Sequence, residues 1–150
     1  MNLENAFVKM EKIRFQHVDY AGIVFYPRFL EMLNGLVEDW FEEALDRPFR
    51  EMHKTGGIPT VDLKVQFRRA ARLGEVLKKC LWVKNLGASS VQLGFRFEDA
   101  KGQVCLEGEV MLVNVVIAES RDDIKSQPFS HEIRNKMEPF MIPDSVEENS

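Results

Sequence analysis

Pro27-Arg28-Phe29-Leu30-Glu31-Met32-Leu33-Asn34-Gly35-Leu36-Val37-Glu38-Asp39-Trp40-Phe41-Glu42-Glu43-Ala44-Leu45 is the stretch on which the fold turns. Phe29, Leu30, Leu33, Leu36, Val37, Trp40, Phe41 and Leu45 recur at three- and four-residue steps, the spacing of one helical face. Pro27 suits a first turn, where its missing N–H is not needed. Met32 widens the apolar stripe early, whereas Glu38, Asp39, Glu42 and Glu43 gather late, so the first half is expected to be the more buried. Gly35 sits mid-helix, where it costs roughly 1 kcal/mol against alanine. It marks either a close approach by a backbone or ligand, or an idle position.

Around this helix the period changes to two. Upstream, Val8 to Gln16 reads as a short strand with Val8, Met10, Ile13 and Phe15 as its apolar positions. Downstream, after a connecting segment from Asp46 to Gly57, Val61, Leu63, Val65 and Phe67 alternate with Asp62, Lys64, Gln66 and Arg68. Glu75 to Asn85 is a second such strand, and Val91, Leu93, Phe95 and Phe97 mark a third. Asp99-Ala100-Lys101-Gly102 reads as a hairpin turn with glycine at a positive φ. Gln103 to Ile117 is the longest strand, apolar on both faces after Val110, as a central strand would be. His131 to Met137 reads as a short helix. A polar tail begins at about Asp144, with Val146 to Ser150 its end. The order is one strand, one long helix, then four antiparallel strands: an α+β chain whose curved sheet wraps the helix. Such a sheet leaves an edge or face to cover, which predicts at least a homodimer.

The chain has 150 residues, enough for one compact domain over 1–150, and 45% hydrophobic residues, enough for a real core. A net charge of −4 gives no general attraction to phosphate backbones, so no nucleic-acid partner is expected. No apolar run approaches a membrane span, and Met1 to Met10 lacks a signal-peptide pattern. Cys80 and Cys105 are too few and too far apart for a disulfide framework or thiolate metal site. The expectation is a cytoplasmic protein with no membrane partner.

Several chemistries are excluded by inspection. Gly87-Ala88-Ser89-Ser90-Val91 misses the final glycine of a nucleophile elbow. Phosphate-binding glycine motifs are missing too. His17, His53 and His131 lie near no second ligand at metal spacing, so no metal is expected. Both cysteines fall inside strands, where a buried, inert thiol is the usual reading. What remains is His17 to Pro27. Asp19 stands just ahead of a helix whose free N–H groups can bind an anion or a developing oxyanion. One ionised carboxylate and preorganised amide donors suffice for acyl transfer from an activated ester. The competing reading makes Asp19 a helix cap or an Asx-turn residue.

His17-Val18-Asp19-Tyr20-Ala21-Gly22-Ile23-Val24-Phe25-Tyr26-Pro27-Arg28-Phe29 closely resembles the corresponding stretch of hotdog-fold acyl-CoA thioesterases of the 4-hydroxybenzoyl-CoA thioesterase family. The likeness continues through Phe29 to Asn34, Gly57-Ile58-Pro59-Thr60-Val61 and the strand pattern to about Ile117. The resemblance implies a hotdog fold, hydrolysis of an aromatic or short- to medium-chain acyl-CoA, and dimers that pair to a homotetramer. CoA is part of the substrate, so no cofactor is implied.

By the same resemblance Asp19 is the catalytic carboxylate, as nucleophile or as base toward water, and the Tyr26 backbone amide is the oxyanion donor. His17 either orients the loop or contacts substrate, or is a plain hydrogen-bonded loop histidine. Asn34 falls where the hydroxybenzoyl enzyme has an acid that meets the phenolic end of its substrate, and Tyr20 replaces a common proline. The hydroxybenzoyl group is therefore not carried over. Asn34 is expected to face the tail of the acyl pocket, with the acyl chain or a partner backbone passing close to Gly35. Pantetheine is expected to run between subunits past Thr60 and Val61. Arg68, Arg69 and Arg72 are the nearest basic residues that can meet CoA phosphates, or they form a solvated turn. Two alternatives stand beside acyl-CoA hydrolysis: release of acyl groups from an acyl carrier protein, and a non-catalytic acyl-thioester-binding module.

Overall fold

The computed structural model describes residues 2–120 and 122–144. In chain order the strands are β1 (Phe7–Lys12), β2 (Gly56–Gly57), β3 (Thr60–Phe67), β4 (Val76–Leu86), β5 (Ser90–Glu98), β6 (Val104–Val113), β7 (Val115–Ile117) and β8 (Ile124–Ser126). The α-helices are α1 (Tyr26–Asp39), α2 (Phe49–Met52) and α3 (His131–Met137). Alternating apolar residues pair β1, β4, β5, β6 and β3, in that order, into one antiparallel sheet. Leu77, Leu81, Leu93, Phe95, Leu106 and Val110 from this sheet meet Phe29, Leu33, Leu36 and Trp40 of the helix layer in one core. This is the α+β hotdog arrangement, a curved sheet wrapped on a long helix.

The helix runs from Tyr26 to Ala44, because a wider π-turn over Trp40–Ala44 continues α1. Its second half, not its first, is the more enclosed. Trp40 and Leu45 are fully buried, whereas Tyr26 is 59% exposed. Phe140 meets Trp40 edge-on at 5.9 Å and Phe49 meets Phe41 at 5.6 Å. Phe140, distant in sequence, and Phe49, in the segment that follows the helix, thus roof the end that carries the carboxylates, which the helix's own pattern does not reveal.

Three further expectations are corrected. The first strand ends at Lys12, where its pairing with β4 runs out, and Phe15 lies instead, exposed, at the start of a 3-10 turn over Phe15–His17. The run from Gln103 to Ile117 is two strands. At Asn114 the backbone N–H donates to Ser89 O at 2.7 Å and the side-chain amide to Gln127 O at 2.9 Å. Beyond that point β7 joins β2 and β8 in a small separate sheet. The segment from Asp46 to Gly57 also carries structure of its own, α2 and β2. The turn at Asp99 to Gly102 has Gly102 at φ +80°, as its sequence requires. Of the polar tail, only Asp144 lies among the described residues, where its carboxylate pairs with Lys84 at 3.3 Å. Val146 to Ser150 lie outside them.

Candidate active site

The loop between β1 and α1 is tied off by its own backbone. Val18 bridges Val24, Asp19 N–H donates to Ile23 O at 3.1 Å, and Phe25 N–H donates to His17 O at 3.0 Å. Gly22, at φ +78°, closes the tip by donating its N–H to Asp19 O at 3.0 Å. A second loop supports this one from outside. Val24 N–H donates to Ala71 O at 2.8 Å, and Ile23 bridges Arg72.

Asp19 is exposed on this hairpin-like loop, and its Oδ1 accepts the Ala21 N–H at 2.9 Å. It is therefore an Asx-turn residue and not a helix cap, since α1 begins at Tyr26 with no side-chain cap. The turn occupies one carboxylate oxygen and fixes the plane of the group. Its other oxygen makes no hydrogen bond among the described residues.

The start of α1 leaves one amide free. Pro27 has no N–H, and Arg28 N–H is committed to Phe25 O at 2.8 Å. Of these first three helical residues, only Tyr26 keeps an amide N–H without a partner among the described residues, at the positive end of the helix dipole. The Tyr26 ring meets Phe25 at 5.7 Å and Phe67 at 6.0 Å, and Phe67 lies 6.2 Å from Phe29. These rings cluster at the start of α1.

One turn into α1, from Leu30 onward, a cleft of about 440 Å³ lies between the helix and the sheet and reaches α2 and β2. Leu30, Leu33 and Val37 line it from the helix, Leu63, Val110 and Leu112 from the sheet. Asn34 and Thr60 share this cleft. Gly35 does not. It borders a polar cleft of about 530 Å³ on the other side of α1, and a Cβ placed on it would meet nothing within 4 Å. Among the described residues of this chain no backbone comes close to Gly35, and because adjacent helix positions point about 100° apart, Asn34 and Gly35 look into different clefts.

The remaining candidates are scattered. His17 is buried behind the loop, with its Nδ1 accepting Arg14 N–H at 2.8 Å, and it borders the polar cleft. Val61 is 57% exposed on the edge strand β3. Arg68 bonds Glu107 at 3.0 Å and also Gln66. Arg69 is held by the buried Asp99 at 2.8 Å. The Gln103 amide above all, with the Lys101 amide and Arg69, keeps the Asp99 carboxyl below its ordinary range. Arg72 makes no ion pair among the described residues, and its backbone N–H faces Glu75. Cys80 and Cys105 are free and buried, and burial pushes both thiols up. Among the described residues, no group of three His, Cys, Asp or Glu side chains converges as metal ligands would. Nor is any helix there long and apolar enough to cross a membrane.

Sequence reasoning passed over His53, which lines the apolar cleft with its Nδ1 on Phe49 O at 2.8 Å. It also passed over Glu11 and Lys79 behind the loop. A lysine in register with buried leucines is the one signal that was available for the latter pair.

A family model described as the thioesterase-like superfamily matches residues 13–149. The chain belongs to that superfamily. No curated protein matches by sequence. Among solved structures, a 1,4-dihydroxy-2-naphthoyl-CoA thioesterase from Synechocystis superposes with a TM-score of 0.78 at 18% identity, covering 88% of this chain and 95% of that one. A 4-hydroxybenzoyl-CoA thioesterase from a Pseudomonas species gives 0.77 at 18%, covering 87% and 98%. A Staphylococcus aureus protein in complex with CoA gives 0.80 at 12%, covering 90% and 83%. At these identities the likeness is one of fold.

Proposed function

We propose that this thioesterase-like chain hydrolyses an acyl-CoA, aromatic or short- to medium-chain, to the free acid and CoA. The observation that carries the reading is the uncommitted Tyr26 amide, one short loop from Asp19 and one helical turn ahead of Leu30, the first residue of α1 to line the apolar cleft. The thioester carbonyl oxygen would accept from that amide, with the helix dipole stabilising its developing charge. Asp19 would either attack the carbonyl carbon directly or take a proton from the water that does. The C–S bond then breaks, the electron pair leaves on sulfur, and the thiolate takes a proton to give CoA. In the base route the proton returned is the one Asp19 removed. In the nucleophile route water cleaves the acyl–Asp19 anhydride and restores the carboxylate. Leu30, Leu33 and Val37 would bury the acyl group, and Asn34 and Thr60 would supply polar contacts in the same cleft. Arg72, unpaired beside the loop, is the basic residue best placed for CoA phosphates, and His17 acts from behind as a loop-orienting residue.

The unit of function is proposed to be a homodimer joined along β3, with pairing to a homotetramer as a further step. An unpaired edge carrying Val61, Leu63 and Phe67, each at least 39% exposed, is a surface that a second copy would cover. Turnover of matched aromatic and aliphatic acyl-CoA and acyl-carrier-protein thioesters tests the reading. Preference for carrier-protein thioesters would move the assignment to that substrate, and tight binding without turnover would make the chain a binding module.

A further inference from the structure

Lys79 of β4 lies in register between the buried Leu77 and Leu81, on the face of the sheet turned to the helix, at 5% exposure. A core ammonium left unpaired costs several kcal/mol, and an apolar side chain of similar size would fill the space as well or better. Its partner is Glu11 of β1, whose Oε1 lies 2.6 Å from Lys79 Nζ. The other oxygen of Glu11 faces His17, at 3.6 Å from Nε2, a charge–dipole contact rather than a hydrogen bond. Because His17 Nδ1 accepts from the Arg14 amide, the neutral ring carries its hydrogen on Nε2, the nitrogen turned toward Glu11. The carbonyl of His17 in turn takes the Phe25 N–H, and the next amide along the chain is that of Tyr26.

We propose that Glu11 and Lys79 are positioning residues, which act through His17 to set the direction of the Tyr26 N–H. The inference rests on the reading of that amide as oxyanion donor. Lys79 fixes the Glu11 carboxylate from the sheet side, Glu11 draws the Nε2 edge of the His17 ring toward it while the Arg14 amide sets the tautomer, and the His17 carbonyl fixes the peptide that precedes the donor. The charges serve the loop rather than the core.

The test separates this from a purely structural ion pair. Glu11→Leu alone leaves Lys79 buried without a partner and is expected to destabilise the fold. The double variant Glu11→Leu with Lys79→Met removes both charges and is expected to regain wild-type stability. In that folded double variant kcat should still be down about 10-fold, with KM changed less than about 2-fold, because a misdirected donor weakens the transition state more than binding. Glu11→Gln with Lys79→Met keeps an amide oxygen for the His17 Nε2–H and should restore most of kcat. The ¹⁵N resonances of the His17 ring and the Tyr26 amide report the same geometry without substrate, and both should move in the first double variant and return in the second. A double variant with wild-type kcat and unmoved resonances overturns the proposal. If the wild-type chain hydrolyses no thioester, the proposed activity fails, and the resonances alone then decide whether the relay sets the Tyr26 amide.

Discussion

The carbonyl of His17 accepts the backbone N–H of Phe25 at 3.0 Å, so the buried end of the loop is pinned to the residue that caps α1. Phe25 is extended, at φ −70° and ψ 121°, and the chain turns into the helix at the very next residue. The tie leaves Asp19 on the exposed tip and the Tyr26 amide at the base. One short loop therefore carries both a carboxylate and a donor, tied together by backbone hydrogen bonds.

Gly35→Ala is expected to stabilise the protein by about 0.5–1 kcal/mol, since alanine narrows the unfolded ensemble and a Cβ there meets nothing within 4 Å. Thermal unfolding should show a raised Tm. A lowered Tm would mean that a partner subunit packs on this face of α1.

Val61→Lys places a charge on the open edge of β3 and is expected to weaken the dimer. Light scattering at micromolar concentration should show the wild type at no less than dimer mass and the variant shifted toward monomer. A wild-type chain that is monomeric there would remove the proposed β3 interface.

The sequence made some parts of this arrangement legible and hid others for physical reasons. The helix from Pro27 to Leu45 and the alternation in Val61 to Phe67 are local periodicities, and the structure places elements within a residue or two of them. The break at Asn114 was hidden because it depends on Ser89 and Gln127, far away in the chain. The different outlooks of Asn34 and Gly35 were available from helical geometry, whereas Gly35 alone did not tell an approach within the chain, which is absent among the described residues, from one by a ligand or partner. Arg68 and Arg69 looked alike and basic, yet their carboxylate partners, Glu107 and Asp99, come from the opposite end of the sheet sequence. Asp19 gave two readings as alternatives, Asx turn and reactive carboxylate, whereas its geometry makes the first compatible with the second.

Asp19→Asn should preserve the Asx turn, because the asparagine side-chain oxygen accepts from Ala21 as Oδ1 does. Stability is then expected to stay within about 0.5 kcal/mol of wild type. The variant loses a nucleophile and a base, so kcat on the best acyl-CoA should fall about 10²-fold or more while binding persists. Single-turnover kinetics and calorimetric binding check the two halves separately. An unchanged kcat in the folded variant would take Asp19 out of the chemistry.

The donor can be removed without touching a carboxylate. Tyr26→Pro deletes one backbone N–H together with the tyrosine ring, at a first helical position where proline is favoured. Phe25 already has the extended conformation that a residue before proline prefers, so no new strain is introduced at the junction. The Phe25-to-His17 bond does not involve the lost group. Tyr26→Ala is the control: it loses the same ring contacts with Phe25 and Phe67 but keeps the amide. If the amide stabilises the oxyanion, kcat of Tyr26→Pro should lie about 10²-fold or more below that of Tyr26→Ala, the usual loss for one such donor. KM should differ little between them, since the charge on oxygen develops only on the way to the transition state. Equal kcat values in two folded variants would show that the free amide at the head of α1 is not where the thioester oxygen sits.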